Sequence, residues 1–255
     1  MSKNNNGEIE MTADHHPFPT SKKPWLLKQT WHDTLFIHWP VPTSTLQAFI
    51  PKSLQIDLFE NQAWIGVIPL MMNNSRIHYT PALPLVSNFP GLNIRTYVMH
   101  NGKPGVYFLN LYAASYLVAK CAHQFMHLPY FHADFQFRKN AEKISFSCQC
   151  KSEQGKGEFV ANYYPISKPT YAKSGSLEYW LTERYYTYIH HAKQLYQLEI
   201  FHHPWLLQKA EAEIRKNTML DFTKHNFNTE SILQYAAHQK TVMWGIEKIN
   251  PTFQK

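Results

Sequence analysis

The sequence predicts an α+β protein, mainly antiparallel β, with a few peripheral helices. Three observations lead there. Apolar and polar residues alternate over many short runs separated by turn residues. The 38 aromatics (16 Phe, 15 Tyr, 7 Trp) are far more than a polar or coiled-coil chain carries, and charged residues are only 17%. Helical content is confined to short segments. The aromatic load points to a thick core, a ligand cavity, or both.

Taking the elements in order, Met1 to Thr20 is polar and includes Asn4-Asn5-Asn6, so residues 1–23 are expected to form a flexible tail. Leu35 to Trp39 reads as a strand, and Leu46 to Ile50 as a short helix capped by Thr43 or Ser44 and stopped by Pro51. Gln55–Phe59 and Ala63–Ile68 form a hairpin pattern around Glu60-Asn61. Met72 to Gly91, with Pro81, Pro84 and Pro90, reads as an ordered loop or irregular edge. Asn93–His100 and Gly105–Leu111 are strands joined at Asn101-Gly102, the dipeptide best suited to a tight hairpin. Alternation puts Asn93, Arg95 and Tyr97 on one face of the first strand, with Ile94, Thr96 and Val98 on the other.

Ala113 to Phe125 is helical in content, and Pro129 ends that pattern. Three strands follow: Phe131–Arg138, Lys143–Cys150 and Gly157–Tyr164. A short helix spans Leu177–Thr182, and a β pair covers Arg184–His191 and Leu195–Phe201. Pro204 to Arg215 reads as irregular or a helical turn, Ile232–Ala237 as a short helix or strand, and Thr241–Ile246 as a closing strand. Repeats and linkers are not apparent, so residues 24–250 are expected to be one domain, with 251–255 a C-terminal tail.

The formal charge of +7 comes from scattered Lys and Arg rather than a stripe, which argues against nucleic acid as a partner. Three cysteines (Cys121, Cys148, Cys150) do not make a secreted disulfide framework. No leader-like segment and no run of about 18 apolar residues is present, so a cytoplasmic, non-membrane protein is expected. Gln154-Gly155-Lys156-Gly157 lacks the remainder of a phosphate-binding loop; dinucleotide and Gly-x-Ser-x-Gly signatures are absent. No cofactor and no metal are therefore expected. His123 and His127 have ligand spacing but no third ligand.

Arg95 is the first candidate for ligand binding, because a mid-strand guanidinium among apolar neighbours can grip a carboxylate or phosphate bidentately. Asn93 shares its face. Arg76 is a second anion candidate. His127 and Tyr130 bracket Leu128-Pro129 and can each offer a hydrogen bond. Glu183, beside Arg184, can act as an acid or as part of an anion clamp; an ordinary ion-pair network explains that pair equally well. Lys120 interrupts an apolar helix and reads as a stem covering apolar surface with its amine in water.

The ordered set Gln29-Thr30-Trp31, Leu35-Phe36-Ile37-His38-Trp39-Pro40-Val41, Ile50-Pro51, Ala63-Trp64-Ile65-Gly66-Val67-Ile68-Pro69, Asn93-Ile94-Arg95-Thr96-Tyr97-Val98, Gly102-Lys103-Pro104-Gly105-Val106, Leu128-Pro129-Tyr130, Leu181-Thr182-Glu183-Arg184-Tyr185, His203-Pro204-Trp205 and Val242-Met243-Trp244 resembles the YqjF-like family of uncharacterised bacterial proteins. The similarity runs from about Trp25 to Ile249. That family's fold resembles acetoacetate decarboxylase, which implies a cone-like or barrel-like β structure around a cavity. In the decarboxylase a lysine after Phe-Pro forms a Schiff base with a β-keto acid. The matching positions after Leu128-Pro129 here are Tyr130 and Phe131, and Gly91 stands where the YqjF-like pattern often has Glu. The resemblance thus carries the fold without the imine chemistry.

Three functional classes follow. The first is a protein binding a small organic acid or other small anionic metabolite. The second is an enzyme acting on a small carboxylated or carbonyl substrate without Schiff-base chemistry, its catalytic residues unassigned. The third is a structural or protein-interaction module with a filled core. Self-association into a homo-oligomer is compatible with each.

Overall fold

The structure is a computed structural model and describes residues 16–80, 87–227 and 229–250. Its strands are β1 (Leu27–Val41), β2 (Gln55–Ile56), β3 (Ala63–Ile77), β4 (Phe89–His100), β5 (Lys103–Ala113), β6 (Tyr130–His132), β7 (Asp134–Asn140), β8 (Lys143–Cys150), β9 (Gly157–Pro165), β10 (Thr170–Tyr171), β11 (Tyr186–His191), β12 (Gln194–His202), β13 (Leu206–Asn217), β14 (Ile232–Met243) and β15 (Glu247–Ile249). The helices are α1 (Thr43–Gln47), α2 (Tyr116–Met126) and α3 (Leu177–Thr182), with a 3-10 turn at Asp221–Thr223. Among the described residues no helix is long and apolar enough to cross a membrane.

The pairings run β12–β11–β5–β4–β3–β1–β14 and return from β14 to β12, where Ile200, Phe201 and His202 meet Met243, Val242 and Thr241. Seven strands therefore close on themselves. From β14 the sheet continues through β13, β9, β8 and β7 as a second layer. Almost every pairing is antiparallel; β5 pairs in parallel with β6 and β11. This is the mainly antiparallel α+β architecture that the alternation predicts.

The two faces of the ring strands have different partners. Ile94 and Val98 of β4, Ile65 and Val67 of β3, and Leu35 and Ile37 of β1 pack with Ile144, Phe146, Phe159 and Tyr163 of the second layer. The opposite face turns inward. Burying one large aliphatic or aromatic side chain contributes about 1.5–3 kcal/mol, so this shared core is what holds the layer to the ring.

Several elements match their sequence pattern closely. Lys143–Cys150 is β8, Leu177–Thr182 is α3, and Asn101 (φ 50°) with Gly102 (φ 75°) makes the β4–β5 turn. Both φ values lie in the left-handed region that a tight hairpin turn requires. Ser115 caps α2, its side chain accepting from the Val118 N–H, and Ser176 caps α3 the same way through Tyr179.

Other expectations are corrected. Pro204 to Arg215 is not a helical turn; Leu206–Asn217 is a strand paired with β9 and β14. Its Ala-Glu-Ala-Glu run has helical propensity but alternates, and the two flanking ladders decide the outcome. Ile232–Ala237 and Thr241–Ile246 are not separate elements; one strand runs from Ile232 to Met243. The region from Met72 is not a loop at its start, because β3 continues to Ile77 and β4 begins at Phe89. Residues 81–86 lie outside the described residues. The strand expected over Phe131–Arg138 breaks at Ala133, and α1 sits three residues earlier than expected. Residues 1–15 of the expected tail and residues 251–255 also lie outside the described residues. His16 is buried against Tyr185, and the Ser21 N–H donates to Glu199.

Candidate functional site

The inward face of the ring encloses a cavity of about 120 Å³, and all seven ring strands contribute to its wall. The wall is mainly apolar, with Phe36, Ile68, Leu70, Leu111 and Leu198 among its residues. Val118, Ala122 and Met126 of α2 close one side, followed by Leu128 and Tyr130. The helix stops there because His127 takes a left-handed conformation (φ 54°) and Pro129 cannot continue it.

Two guanidiniums line this space. Arg95 is 9% exposed. Its Nε donates to the Tyr97 hydroxyl at 3.3 Å, and its Nη2 donates to the Leu181 carbonyl at 3.0 Å. No carboxylate lies within salt-bridge distance of it among the described residues. Arg184 follows α3 and is fixed more firmly. Its Nη1 donates to Asp57 Oδ2 at 2.6 Å, and its Nε to the Trp180 carbonyl at 2.6 Å. Its Nη2 is buried with no hydrogen-bond partner. The Tyr97 ring lies 5.5 Å from the Arg95 guanidinium and 5.1 Å from that of Arg184, within cation–π range of both. Burial pulls the Arg184 pKa down and Asp57 opposes that pull; the nearby Arg95 adds to the lowering.

Three further polar atoms in residues of the wall are buried and unpartnered: Thr34 Oγ1, Thr187 Oγ1 and Trp205 Nε1. Buried polar groups nearly always find a partner, and each one left bare costs about 1–3 kcal/mol. Counting Arg184 Nη2, four such groups belong to residues that line one cavity. The positioning of Thr34 depends on a break in β1. Asp33 has φ 50°, and the β1–β3 register shifts between His32 and Ile37. The irregularity resets the alternation, so Trp31 and Thr34 both reach the cavity. Asp33 is held in place by Lys139 Nζ at 2.6 Å and the Tyr235 hydroxyl at 2.5 Å; the Tyr163 hydroxyl donates to its carbonyl.

Behind Arg95 lies a buried chain. The Tyr97 hydroxyl and His38 Nε2 are 2.6 Å apart. Burial drives the His38 pKa well below 6.5 and Arg95 pushes it further down, so the ring is neutral. Burial also raises the Tyr97 pKa above 10, with both arginines opposing the rise.

The structure brings Asn93, Arg95 and Tyr130 of the sequence candidates into one wall. Burial pushes the Tyr130 pKa up to about 12, so it is a protonated donor at neutral pH. Glu183 is buried outside the cavity lining: it accepts from the Trp205 backbone N–H at 2.9 Å and the Tyr185 hydroxyl at 2.6 Å, seating the loop that carries the Trp205 indole. His127 lines a separate surface pocket and stacks on His191 at 4.1 Å. Arg76 is exposed near the end of β3. Of the Glu183–Arg184 pair, Arg184 is the member that reaches the cavity. Thr34 and Thr187 carry no sequence signal, and Trp205 stands in a family motif that gives it no role, because their significance comes from lacking partners in three dimensions.

Among the described residues the wall contains no lysine and no carboxylate. Lys120 is exposed on α2, its amine 5.9 Å from the Tyr116 ring. Leu128 and Tyr130, matched above to the decarboxylase's lysine-bearing segment, do line the cavity, but neither can form an imine.

The profile of DUF2071, described as an uncharacterized conserved protein, matches residues 28–240. The chain belongs to the DUF2071 family. It is 44% identical over 227 residues to the uncharacterized protein YqjF of Bacillus subtilis (strain 168), covering 88% of this chain and 93% of that relative. Among solved structures it is similar to the enduracididine biosynthesis enzyme MppR complexed with pyruvate, at TM-score 0.65 and 8% identity, over 91% of this chain and 93% of that one. It is also similar to the acetoacetate decarboxylase of Legionella pneumophila, at TM-score 0.62 and 10% identity, over 98% of this chain and 100% of that one. An acetoacetate decarboxylase-like enzyme from Sphingomonas wittichii RW1 aligns at TM-score 0.60 and 13% identity, over 93% of this chain and 98% of that one. At these identities the likeness shows a shared fold. This DUF2071 member thus has an acetoacetate decarboxylase-like fold.

Proposed function

We propose that the ring cavity of this DUF2071 protein binds a small carboxylic acid, anchored by Arg95 and the free Nη2 of Arg184. The observation that carries this reading is the buried Arg95, which lines the cavity without a carboxylate partner. A buried cation normally has an ionic partner, and a guanidinium's fork fits a carboxylate. Thr34, Thr187 and the Trp205 indole N–H supply hydrogen bonds for a second oxygen function such as a keto or hydroxyl group. Asn93 and Tyr130 orient the ligand from β4 and β6.

Size limits the class. An apolar cavity of about 150 Å³ takes a benzene-sized ligand. A space of about 120 Å³ therefore suits about six non-hydrogen atoms or fewer. Acetate and pyruvate satisfy that limit. The complex of MppR with pyruvate supports the choice of ligand, since pyruvate has both the carboxylate and the keto oxygen that this lining is suited to receive.

Isothermal titration with acetate and pyruvate tests the proposal, comparing the native chain with Arg95→Met. Removing one partner of a buried charge pair costs about 2–5 kcal/mol, so Arg95→Met is expected to weaken carboxylate binding by more than thirtyfold. Equal affinity in the two proteins, or no binding by the native chain, rejects it.

A further inference from the structure

The wall between the cavity and the outside is thin at one place. A surface pocket of about 370 Å³ lies against the ring and shares two wall residues, Phe108 and Leu128, with the inner cavity. Strand pairing explains the thin place. β5 meets β11 only at Val106–Thr187 and Tyr107–Tyr188, and meets β6 only from Leu111 onward. Phe108, Leu109 and Asn110 therefore have no strand partner on that edge. On the other edge of β5 the register slips between Ile94 and Arg95, which leaves Leu109 as an extra residue. Such a bulge bends a strand and sharpens its twist. Arg95 sits opposite Phe108 in this register, one strand in from the break.

We propose that small anions reach the cavity through this window, with Phe108 and Leu128 as its gate. The biological purpose of the route rests on the ligand reading above; the window itself is a property of the strand pairing. At most other points around the ring, a path inward breaks backbone ladder bonds. Here no strand ladder crosses at Phe108–Asn110, and side chains change rotamer without unpairing a strand. The competing route is at the helix side, where Met126 covers the cavity and Tyr130 lines both the cavity and a hollow beside α2.

Cysteine accessibility tests the route without any ligand. Thr187→Cys places a thiol in the cavity wall at a position close to isosteric. Its reaction with methyl methanethiosulfonate is followed by peptide mass mapping, which separates it from the exposed native Cys121. In that background, Phe108→Ala is expected to speed modification of position 187 by about tenfold or more, and Phe108→Leu, the gentler change, by several-fold. Met126→Ala is expected to leave the rate within about twofold. Cooperative thermal melting confirms that each variant is folded. An unchanged rate in folded Phe108→Leu, or equal acceleration by Met126→Ala, overturns the proposal. Faster labelling, together with a native chain that fails to bind pyruvate in the titration above, rejects the ligand and leaves the route standing.

Discussion

Asp57 holds Arg184 through Nη1 alone, at 2.6 Å, which leaves the other terminal nitrogen of the same guanidinium unpartnered beside the cavity. The ion pair is thus both a structural clamp and a way of presenting a donor. Asp57 comes from the segment after β2, and Arg184 from the turn between α3 and β11, so the pair also ties two distant stretches of chain together.

That clamp makes Asp57→Asn costly. The side chains of Arg184 and Asp57 are 3% and 9% exposed. Breaking such a pair leaves a buried, uncompensated charge, at a cost of about 3–5 kcal/mol. Urea unfolding is expected to show a loss of that size for Asp57→Asn. The double change Asp57→Leu/Arg184→Met is expected to recover most of it, since well-packed apolar replacements of buried pairs are often neutral or better. A double variant as weak as the single one contradicts this account.

His38 predicts the pH dependence of stability. Its folded pKa lies well below 6.5 because burial and Arg95 disfavour the imidazolium. Below pH 6.5 the unfolded chain binds a proton that the native ring refuses, so stability is full above that pH and falls as the pH drops through and below it. One such group contributes a slope of up to about 1.4 kcal/mol per pH unit. Unfolding free energies between pH 7.5 and 5.0 should therefore fall less steeply in His38→Asn than in the native chain. His32 is shifted in the same direction by burial but is present in both proteins, so the difference isolates His38. Parallel profiles contradict the assignment.

How much of this was legible in the sequence follows from the range of each signal. Alternation separates Arg95 and Asn93 from Ile94 and Val98, and the structure sends the first pair to the cavity and the second to the core. Asn101-Gly102 is read correctly because a tight turn is a local matter. β13 is misread because its residues favour a helix locally, while β9 and β14 impose a strand from far along the chain. The break at Asp33 is invisible for a related reason. Nothing in His32-Asp33-Thr34 announces a left-handed residue; its carboxylate finds Lys139 and Tyr235, more than a hundred residues away. Simple period-two reading from Trp31 therefore places Thr34 on the wrong face.

Asp33 is accordingly a residue whose loss should reach the site. Asp33→Ala removes the acceptor for Lys139 and Tyr235 and puts a β-carbon residue without a polar anchor at φ 50°. The Tyr235 hydroxyl would then be left without the acceptor it has now. A loss of about 2–4 kcal/mol in urea unfolding is expected from the unpaired groups and the strained backbone. Asp33→Asn keeps an acceptor oxygen and tolerates the left-handed region, so it should lose less. If the alanine variant is no weaker than the asparagine variant, the anchor is not what holds the bulge.

The chemistry of the wall yields a last prediction, about what the site does not do. Imine catalysis needs an amine whose pKa is lowered by burial or a cationic neighbour and which touches the substrate carbonyl. Two guanidiniums supply the cationic setting here, yet Arg is too basic to act as that nucleophile. The segment entering the cavity after Leu128-Pro129 offers Tyr130, a phenol held protonated by burial. Lys120 lies on the exposed face of α2, on a helix whose Val118, Ala122 and Met126 are the residues that line the cavity. Incubation with pyruvate followed by borohydride should therefore leave the intact mass unchanged, while reversible binding of pyruvate remains measurable. A stoichiometric adduct mapping to any lysine would show that an amine reaches the cavity, and would return the site to Schiff-base chemistry.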